Sequence, residues 1–349
     1  MTYHTPGHGL VADALIMHGA VKLLHLSGRI EGVVRRVGDR FEIEGGAIDW
    51  ERYVRWELHN LVDISVESER ELGPLRDLRD AAIDVSNFPV WKQRLKDSLN
   101  ALPTAFDLSP SHAERLTEGR VKIKKGYTLY LPISLTFGKY RVVDYRAVAD
   151  TPYVVCPSCF ALSTLGYLYG VVKIKIEGEN GFTIFNISPI PSGELSVIDL
   201  ITLQRLAGLV YVGGRAGKGL NALGALVYAL SVGETIFAVE RPVDFVVWRT
   251  ERSGNNQRAI AEGVYRGQRL MEALALLKLY FPRWPRIVNE LGGDVVNLVG
   301  EYLVFGGDPY NVVREVVRDL SSRKVDKTRK KRLREADKIA EVFLTLADK

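Results

Sequence analysis

Four short stretches of this chain carry side chains able to do chemistry. Cys156-Pro-Ser-Cys159 sets two thiols three positions apart, a spacing that supplies two zinc thiolates or a dithiol–disulfide pair. A structural zinc takes four ligands, and these are the chain's two cysteines. Any further ligand would come through the fold from His4, His8, His18, His25, His59 or His112. A redox pair calls for a strand just before the motif, and Tyr153-Val-Val155 is short for one. The plain alternative is a tight turn with semi-buried thiols. Cys156 and Cys159 are thus the candidate metal ligands, zinc is the candidate ion, and no other cofactor is expected.

Gly213-Gly-Arg-Ala-Gly-Lys-Gly219 follows the apolar Leu209-Val-Tyr-Val212 and precedes a helical pattern. It approaches a phosphate-binding loop but fails the spacing by one residue: Val212 stands where the first glycine belongs. Gly219 replaces the hydroxyl residue that would hold magnesium. The physics outlives the failed motif, because glycines leave N–H groups free to face an anion and Arg215 and Lys218 add charge. A nucleic-acid phosphate would suit it; a glycine-rich turn with two solvated cations is the alternative. Ser253-Gly-Asn-Asn-Gln-Arg258 reads as a polar tip at a helix N-terminus. Asn255, Asn256 and Gln257 can each donate and accept against a base edge, and Arg258 can read guanine or hold a phosphate. Equally, Ser, Gly and Asn are good loop and cap residues. The fourth stretch, Lys324 to Arg334, places Lys327, Arg329, Lys330, Lys331 and Arg332 on a helix dense enough in charge for phosphate contact, unless it is a solvated face. No clustered acidic metal site, histidine–aspartate dyad or nucleophile elbow is present, so no catalytic set is expected.

The charge is unevenly placed. The chain of 349 residues carries a net +5. Arg314 to Lys338 holds eleven lysines and arginines against five acids, while the first 313 residues sum to zero. Basicity confined to one element points to a polyanionic partner. With 46% hydrophobic residues the chain can bury a core, and no apolar run reaches the roughly 18 residues of a membrane span. Two cysteines fit a reducing compartment, the N-terminus lacks a signal-peptide pattern, and a cytoplasmic location is expected.

The elements that would hold these stretches follow from periodicity. Helices are expected over Gly9–Leu26, with Asp13 and Lys22 among the polar positions, over a segment capped by Asp49 with Trp50, Val54, Leu58 and Leu61, and over Val90–Leu99. Glu67–Asp80 reads as solvated helix and loop, and Pro103 and Pro110 punctuate a linker. Hairpins are expected about Gly38-Asp39 and Asn180-Gly181, with strands between Val121 and Val143 and a pair at Thr235–Val239 and Val243–Trp248. Helices resume at Leu195–Tyr211 and Gly219–Leu230. From Asn256 onward every element is expected to be helical: Asn256–Leu279, Trp284–Phe305, Pro309–Leu320 and Thr328–Ala347. The fold class is α+β: a mixed body of helices and antiparallel strands over residues 1–250, with a sub-boundary near 101–120, and a C-terminal helical bundle over 251–349.

The order of features resembles a known family. His8-Gly-Leu-Val-Ala-Asp13-Ala-Leu-Ile-Met-His18-Gly-Ala20, a following hairpin, a mid-chain Cys-Pro-Ser-Cys before an apolar helix and a helical C-terminal third are similar to the large subunit of the archaeal type I-A CRISPR Cascade complex (the Cas-eight family, Csa-four branch). Some large subunits of that group carry two Cys-x-x-Cys pairs, where this chain has one. The resemblance implies a non-catalytic subunit that recognises the protospacer-adjacent motif in duplex DNA and helps to open it, in antiviral defence. Its partners would be guide RNA, target DNA, the backbone and small subunits and a helicase-nuclease. The rival readings are a nucleotide-dependent or RNA-modifying enzyme using the 213–219 loop, and an RNA-binding ribonucleoprotein scaffold.

Overall fold

The computed structural model describes residues 1–48, 88–100, 127–128, 154–178, 181–232, 241–253, 256–322 and 337–345. The expected helix from Asp49, the charged stretch Glu67–Asp80, the linker about Pro103 and Pro110, the Thr235–Val239 strand, and most of the strands between Val121 and Val143 lie outside these residues. So do Asn255, Lys327, Arg329, Lys330, Lys331 and Arg332.

The fold is α+β, built on two sheets. The smaller has the order β1 (Thr2–His4), β3 (Arg40–Gly45), β2 (Gly32–Val37), β8 (Glu194–Ser196), with every pair antiparallel. Its β2–β3 hairpin pairs Val37 with Arg40, leaving Gly38-Asp39 as a two-residue loop. Gly38 has φ 63°, the left-handed first position that matches the twist of the strands and favours glycine. The larger sheet runs β11 (Asn256–Arg266), β10 (Val243–Ser253), β7 (Gly181–Pro191), β6 (Val172–Gly178), β9 (Gly208–Val212), and only the β6–β9 pair is parallel. The short strands β4 (Tyr127–Thr128) and β5 (Val154–Val155) pair with each other.

Between the sheets lies α1 (Leu10–Leu26), apolar on all sides and buried from Ala12 to Val21, as expected of a helix with no face to spare for water. It packs on α3 (Pro157–Tyr169), itself buried from Cys159 to Leu168; α2 (Phe88–Asn100) also packs on α3. The α1–α3 crossing is closed by glycines. A Cβ at Gly19 would collide with the Leu162 carbonyl oxygen, and one at Gly166 with the Leu15 carbonyl oxygen. Asp13, one of the helix's polar positions, is fully buried: its carboxylate accepts the Gly7 and Gly9 N–H groups at 2.8 Å each. Lys173 of β6 is buried too, donating to the Val171 carbonyl and lying 4.7 Å from the centre of the Tyr167 ring. Tyr167 donates to Asn186, which in turn donates to the Trp248 carbonyl. A polar chain thus crosses the helix–sheet boundary with its members satisfied.

A second layer centres on α6 (Ala222–Val232), buried from Ala222 to Ser231. Around it pack α7 (Gln268–Tyr280), α8 (Trp284–Glu290) and α9 (Gly293–Phe305), with α10 (Pro309–Ser321) on α9. A final helix, α11, spans 337–345 and buries Phe343 against Tyr302. Trp284 closes the layer by donating its indole N–H to Ser231 at 2.8 Å. Asp308 caps α10 by accepting the Tyr310 N–H ahead of Pro309, as the sequence indicates.

Three expected helices are corrected. Leu195–Tyr211 divides into β8, α4 (Val197–Gln204) and β9. The Ser196–Asp199 capping box starts α4 late, and the β-branched, aromatic run to Val212 joins the sheet beside β6. Asn256–Arg266 is a strand, its backbone paired along β10 to the register Ser253↔Asn256; the helix begins only at Gln268. Trp284–Phe305 breaks at Leu291 and Gly292, where the Gly292 N–H turns to the Asp319 carboxylate.

Substituting Gly166→Ala should force the α1 and α3 backbones apart and cost about 2 kcal/mol or more, while Gly193→Ala, with nothing within 4 Å of its added Cβ, leaves stability nearly unchanged. Chemical denaturation of both variants checks this. His18 yields a pH effect. Burial lowers its pKa from 6.5 to about 4, against the opposing pull of its Nε2 hydrogen bond to the Pro189 carbonyl. Between those values the unfolded chain binds a proton that the folded chain refuses. This contribution is complete above pH 6.5 and is lost as pH falls towards 4, by an amount on the order of 3 kcal/mol. His18→Gln should flatten the decline in melting temperature across that window relative to the parent.

Candidate nucleic-acid interface

The large sheet gathers the sequence-predicted loops at one end. Gly178 pairs with Gly181, Gly181 with Ser253, and Ser253 with Asn256, so the β6–β7 and β10–β11 turns lie side by side. Because β9 runs parallel to β6, with Val212 opposite Ile176, the chain leaves β9 at that same end and enters the 213–219 loop. A Cβ on Gly217 would stand 2.9 Å from the Ile176 side chain. Strand spacing sets β9 about 14 Å from β10 and about 19 Å from β11. Asn256, Gln257 and Arg258 therefore sit on the edge strand at the end of the five-stranded sheet, opposite Ser253, Arg252 and Glu251, and not at a helix N-terminus.

The 213–219 loop is held more by its own protein than by any free anion seat. After Gly213 the chain makes the single turn α5 (Gly214–Gly217) and reaches α6 through Asn221, whose side chain accepts the Gly224 N–H at 3.0 Å. Asn297 of α9 accepts the Asn221 N–H and donates to the Gly219 carbonyl at 2.7 Å. Arg215 is ion-paired with Asp319 of α10. Asp319, 4% exposed at its side chain, also accepts the Gly292 N–H. A cavity of about 1100 Å³ opens beside the loop, where Arg215, Lys218 and Arg318 face Asp294, Glu301, Glu315 and Asp319. A Cβ on Gly219 would lie 2.5 Å from an Asp294 carboxylate oxygen. Four carboxylates against three cations make a poor seat for a polyphosphate. Lys218 is exposed at the rim of this cavity.

Other residues at this sheet end escaped the sequence reading. The Lys175 ammonium lies 4.6 Å from the centre of the Phe182 ring and 5.5 Å from that of Tyr211, whose side chain on the edge strand is 53% exposed. Arg252 pairs across from Phe182. The signal was available in the alternation of Val171-Val-Lys-Ile-Lys-Ile-Glu177, which places Lys173 and Lys175 on one face. Taking β9 for the end of a helix hid Tyr211.

Cys156 and Cys159 lie at the start of α3, far from this end in sequence. Cys156 is the N-cap, its sulfur accepting the Cys159 N–H at 3.4 Å. His8 Nε2 is 3.3 Å from the Cys159 sulfur. Among the described residues no group of three or more His, Cys, Asp or Glu is disposed to hold a metal ion, and both oxygens of nearby Asp13 are taken up by backbone N–H groups. These residues do not furnish a tetrahedral zinc shell.

The two loop cations should separate by experiment. Arg215→Ala leaves the Asp319 carboxylate buried without its cation and should lower stability on the order of 1 kcal/mol, the exposed guanidinium discounting the full value of a buried pair. Lys218→Ala should leave the unfolding midpoint unchanged.

A family model described as CRISPR-associated protein (Cas_Csa4) matches residues 1–330. A relative from Thermoproteus tenax, "CRISPR system associated protein Cas8", is 46% identical over 336 residues, covering 90% of this chain and 92% of that protein. The chain belongs to the Csa4 family of CRISPR-associated proteins.

Proposed function

We propose that this protein is the non-catalytic large subunit of a type I-A CRISPR interference complex, where it binds target DNA and recognises the protospacer-adjacent motif. The observation that carries the reading is the strand register that sets the ends of the β10–β11 and β6–β7 hairpins and the 213–219 loop at one end of one sheet. The hairpin end with Asn256, Gln257 and Arg258 has the donors and acceptors for base edges, and Lys218, on the loop after β9 at the opposite edge of the sheet, offers a phosphate contact. The strongly basic 324–334 segment supplies sequence-independent phosphate neutralisation. Partners on this reading are guide RNA, target duplex, the backbone and small subunits and a helicase-nuclease, in the cytoplasm. The relative's name as a Cas8 protein supports membership of a CRISPR system. The carboxylates beside the glycine loop disfavour the nucleotide-dependent enzyme.

The test is affinity of the assembled complex for duplexes with matched and scrambled flanking motifs, across a salt series. Replacing Asn256 or Gln257 with Ala should compress motif preference by roughly tenfold or more for each base-edge interaction removed, given about 1–3 kcal/mol of discrimination each. Lys218→Ala should weaken both duplexes equally. Replacing Lys327, Arg329, Lys330, Lys331 and Arg332 with Gln should flatten the salt slope by up to about 0.9 for each phosphate no longer neutralised. Full motif preference in the Asn256 and Gln257 variants would refute the base-reading role.

A further inference from the structure

The first histidine of the His8-Gly9 motif and the Cys-Pro-Ser-Cys motif, some 150 residues apart, form one site. Gly7 and Gly9 flank His8 with φ 86° and 116°, and Asp13 clamps both of their N–H groups, so the loop turns the imidazole inward. His8 is 2% exposed and rests against the Cys159 sulfur, itself on a residue 1% exposed. Cys156 is half-buried at the N-cap, where α3, thirteen residues long, places its positive end, and where Pro157 fixes the first turn. One sulfur is accessible and favoured as a thiolate; the other is enclosed behind it, within reach of an imidazole. That asymmetry suits thiol–disulfide exchange.

We infer that Cys156 and Cys159 are a dithiol–disulfide couple, with Cys156 the attacking sulfur, Cys159 the resolving sulfur and His8 the acceptor of the Cys159 proton. The co-reactant is a small-molecule disulfide. The Cys156 thiolate attacks one of its sulfurs, forming a mixed disulfide and releasing one thiolate, which takes a proton from water. Until then the Cys159 thiol hydrogen-bonds to Cys156; this bond and burial push the Cys159 pKa well up. Once Cys156 is in the mixed disulfide it no longer draws that hydrogen, and His8 Nε2, at 3.3 Å, receives it. The Cys159 thiolate then attacks the Cys156 sulfur, closing the internal disulfide and expelling the second small thiolate, which takes up the proton held by His8. The protein loses two electrons and two protons, and the small disulfide becomes two thiols. The site shares no residue with the sheet end and does not depend on the nucleic-acid reading.

The experiment equilibrates the full chain in buffers of stepped oxidised-to-reduced glutathione ratio, quenches with acid, alkylates and weighs the product. Two alkylated thiols should give way to none as the ratio rises, with loss of two hydrogens and no retained glutathione. Cys159→Ser should trap one glutathione on Cys156, whereas Cys156→Ser should leave Cys159 unmodified. His8→Asn should slow closure of the mixed disulfide by about tenfold or more. Two alkylatable thiols at the most oxidising ratio would overturn the proposal, as would glutathione captured first by Cys159. One tightly held zinc per chain, lost in Cys156→Ser, would replace it with a metal site. The parent titration needs no variant, so a variant that fails to fold leaves the answer intact.

Discussion

The α1–α3 crossing depends on the absence of two methyl groups. Gly19 lies against the Leu162 carbonyl and Gly166 against the Leu15 carbonyl, so the two backbones touch and neither position tolerates a side chain. This contact fixes the rest of the first layer. It sets Tyr167 of α3 over Lys173 and near Trp248, with ring centres 6.4 Å apart, and thereby seats the helix pair on the large sheet. It brings the loop before α1 to the start of α3, which is why His8 meets Cys159. Gly170, at the end of α3, leaves room for the His18 ring, and the burial that results lowers that imidazole's pKa.

The second layer repeats the device with a polar addition. Gly300 of α9 packs on the Leu223 backbone, and Gly224 of α6 admits the Asn297 side chain. Because Asn297 then reaches both Asn221 and Gly219, the packing of two buried helices dictates the path of the 213–219 loop. A segment so anchored costs little further entropy to order on binding, but its backbone N–H groups are already partly spoken for. The loop is better understood as a rigid shelf that displays Lys218 than as an anion nest.

What was legible in the sequence was local. The hairpins at Gly38 and at Gly178–Gly181, the start of α1, and the Asp308-Pro309 cap each rest on residues a few positions apart, and each was read correctly. The α+β class followed from them. The strands β9 and β11 were not legible, because their backbone hydrogen bonds are to β6 and β10 and their own residues also suit helices; tertiary pairing overrode propensity. The burial of Asp13 and Lys173 was not legible for a related reason. Their charges are satisfied by backbone groups and a ring that periodicity does not show. The candidate site was half legible: the loops were picked out from their composition, but only the register reveals that they share one end of a sheet. The basic 324–334 segment lies outside the described residues, so its part in the site rests on sequence alone.

Charge placement bears on how such a site could divide its work. The described loops at the sheet end are of mixed sign. Arg215 is committed to Asp319, Glu251 sits opposite Arg258 in register, and the cleft beside Lys218 holds more carboxylates than cations. A surface of this kind gains little from the general attraction of a polyanion, since each phosphate brought close meets repulsion as well as attraction. On the proposed reading it meets a geometric demand instead, favouring a duplex whose groove edges satisfy the Asn256 and Gln257 amides and penalising one that leaves them unpaired. The excess positive charge lies elsewhere, between Arg314 and Lys338. On the proposed reading, affinity and discrimination are carried by different parts of the chain, and a subunit held in place by its assembly can keep a weak, selective reader without losing its target.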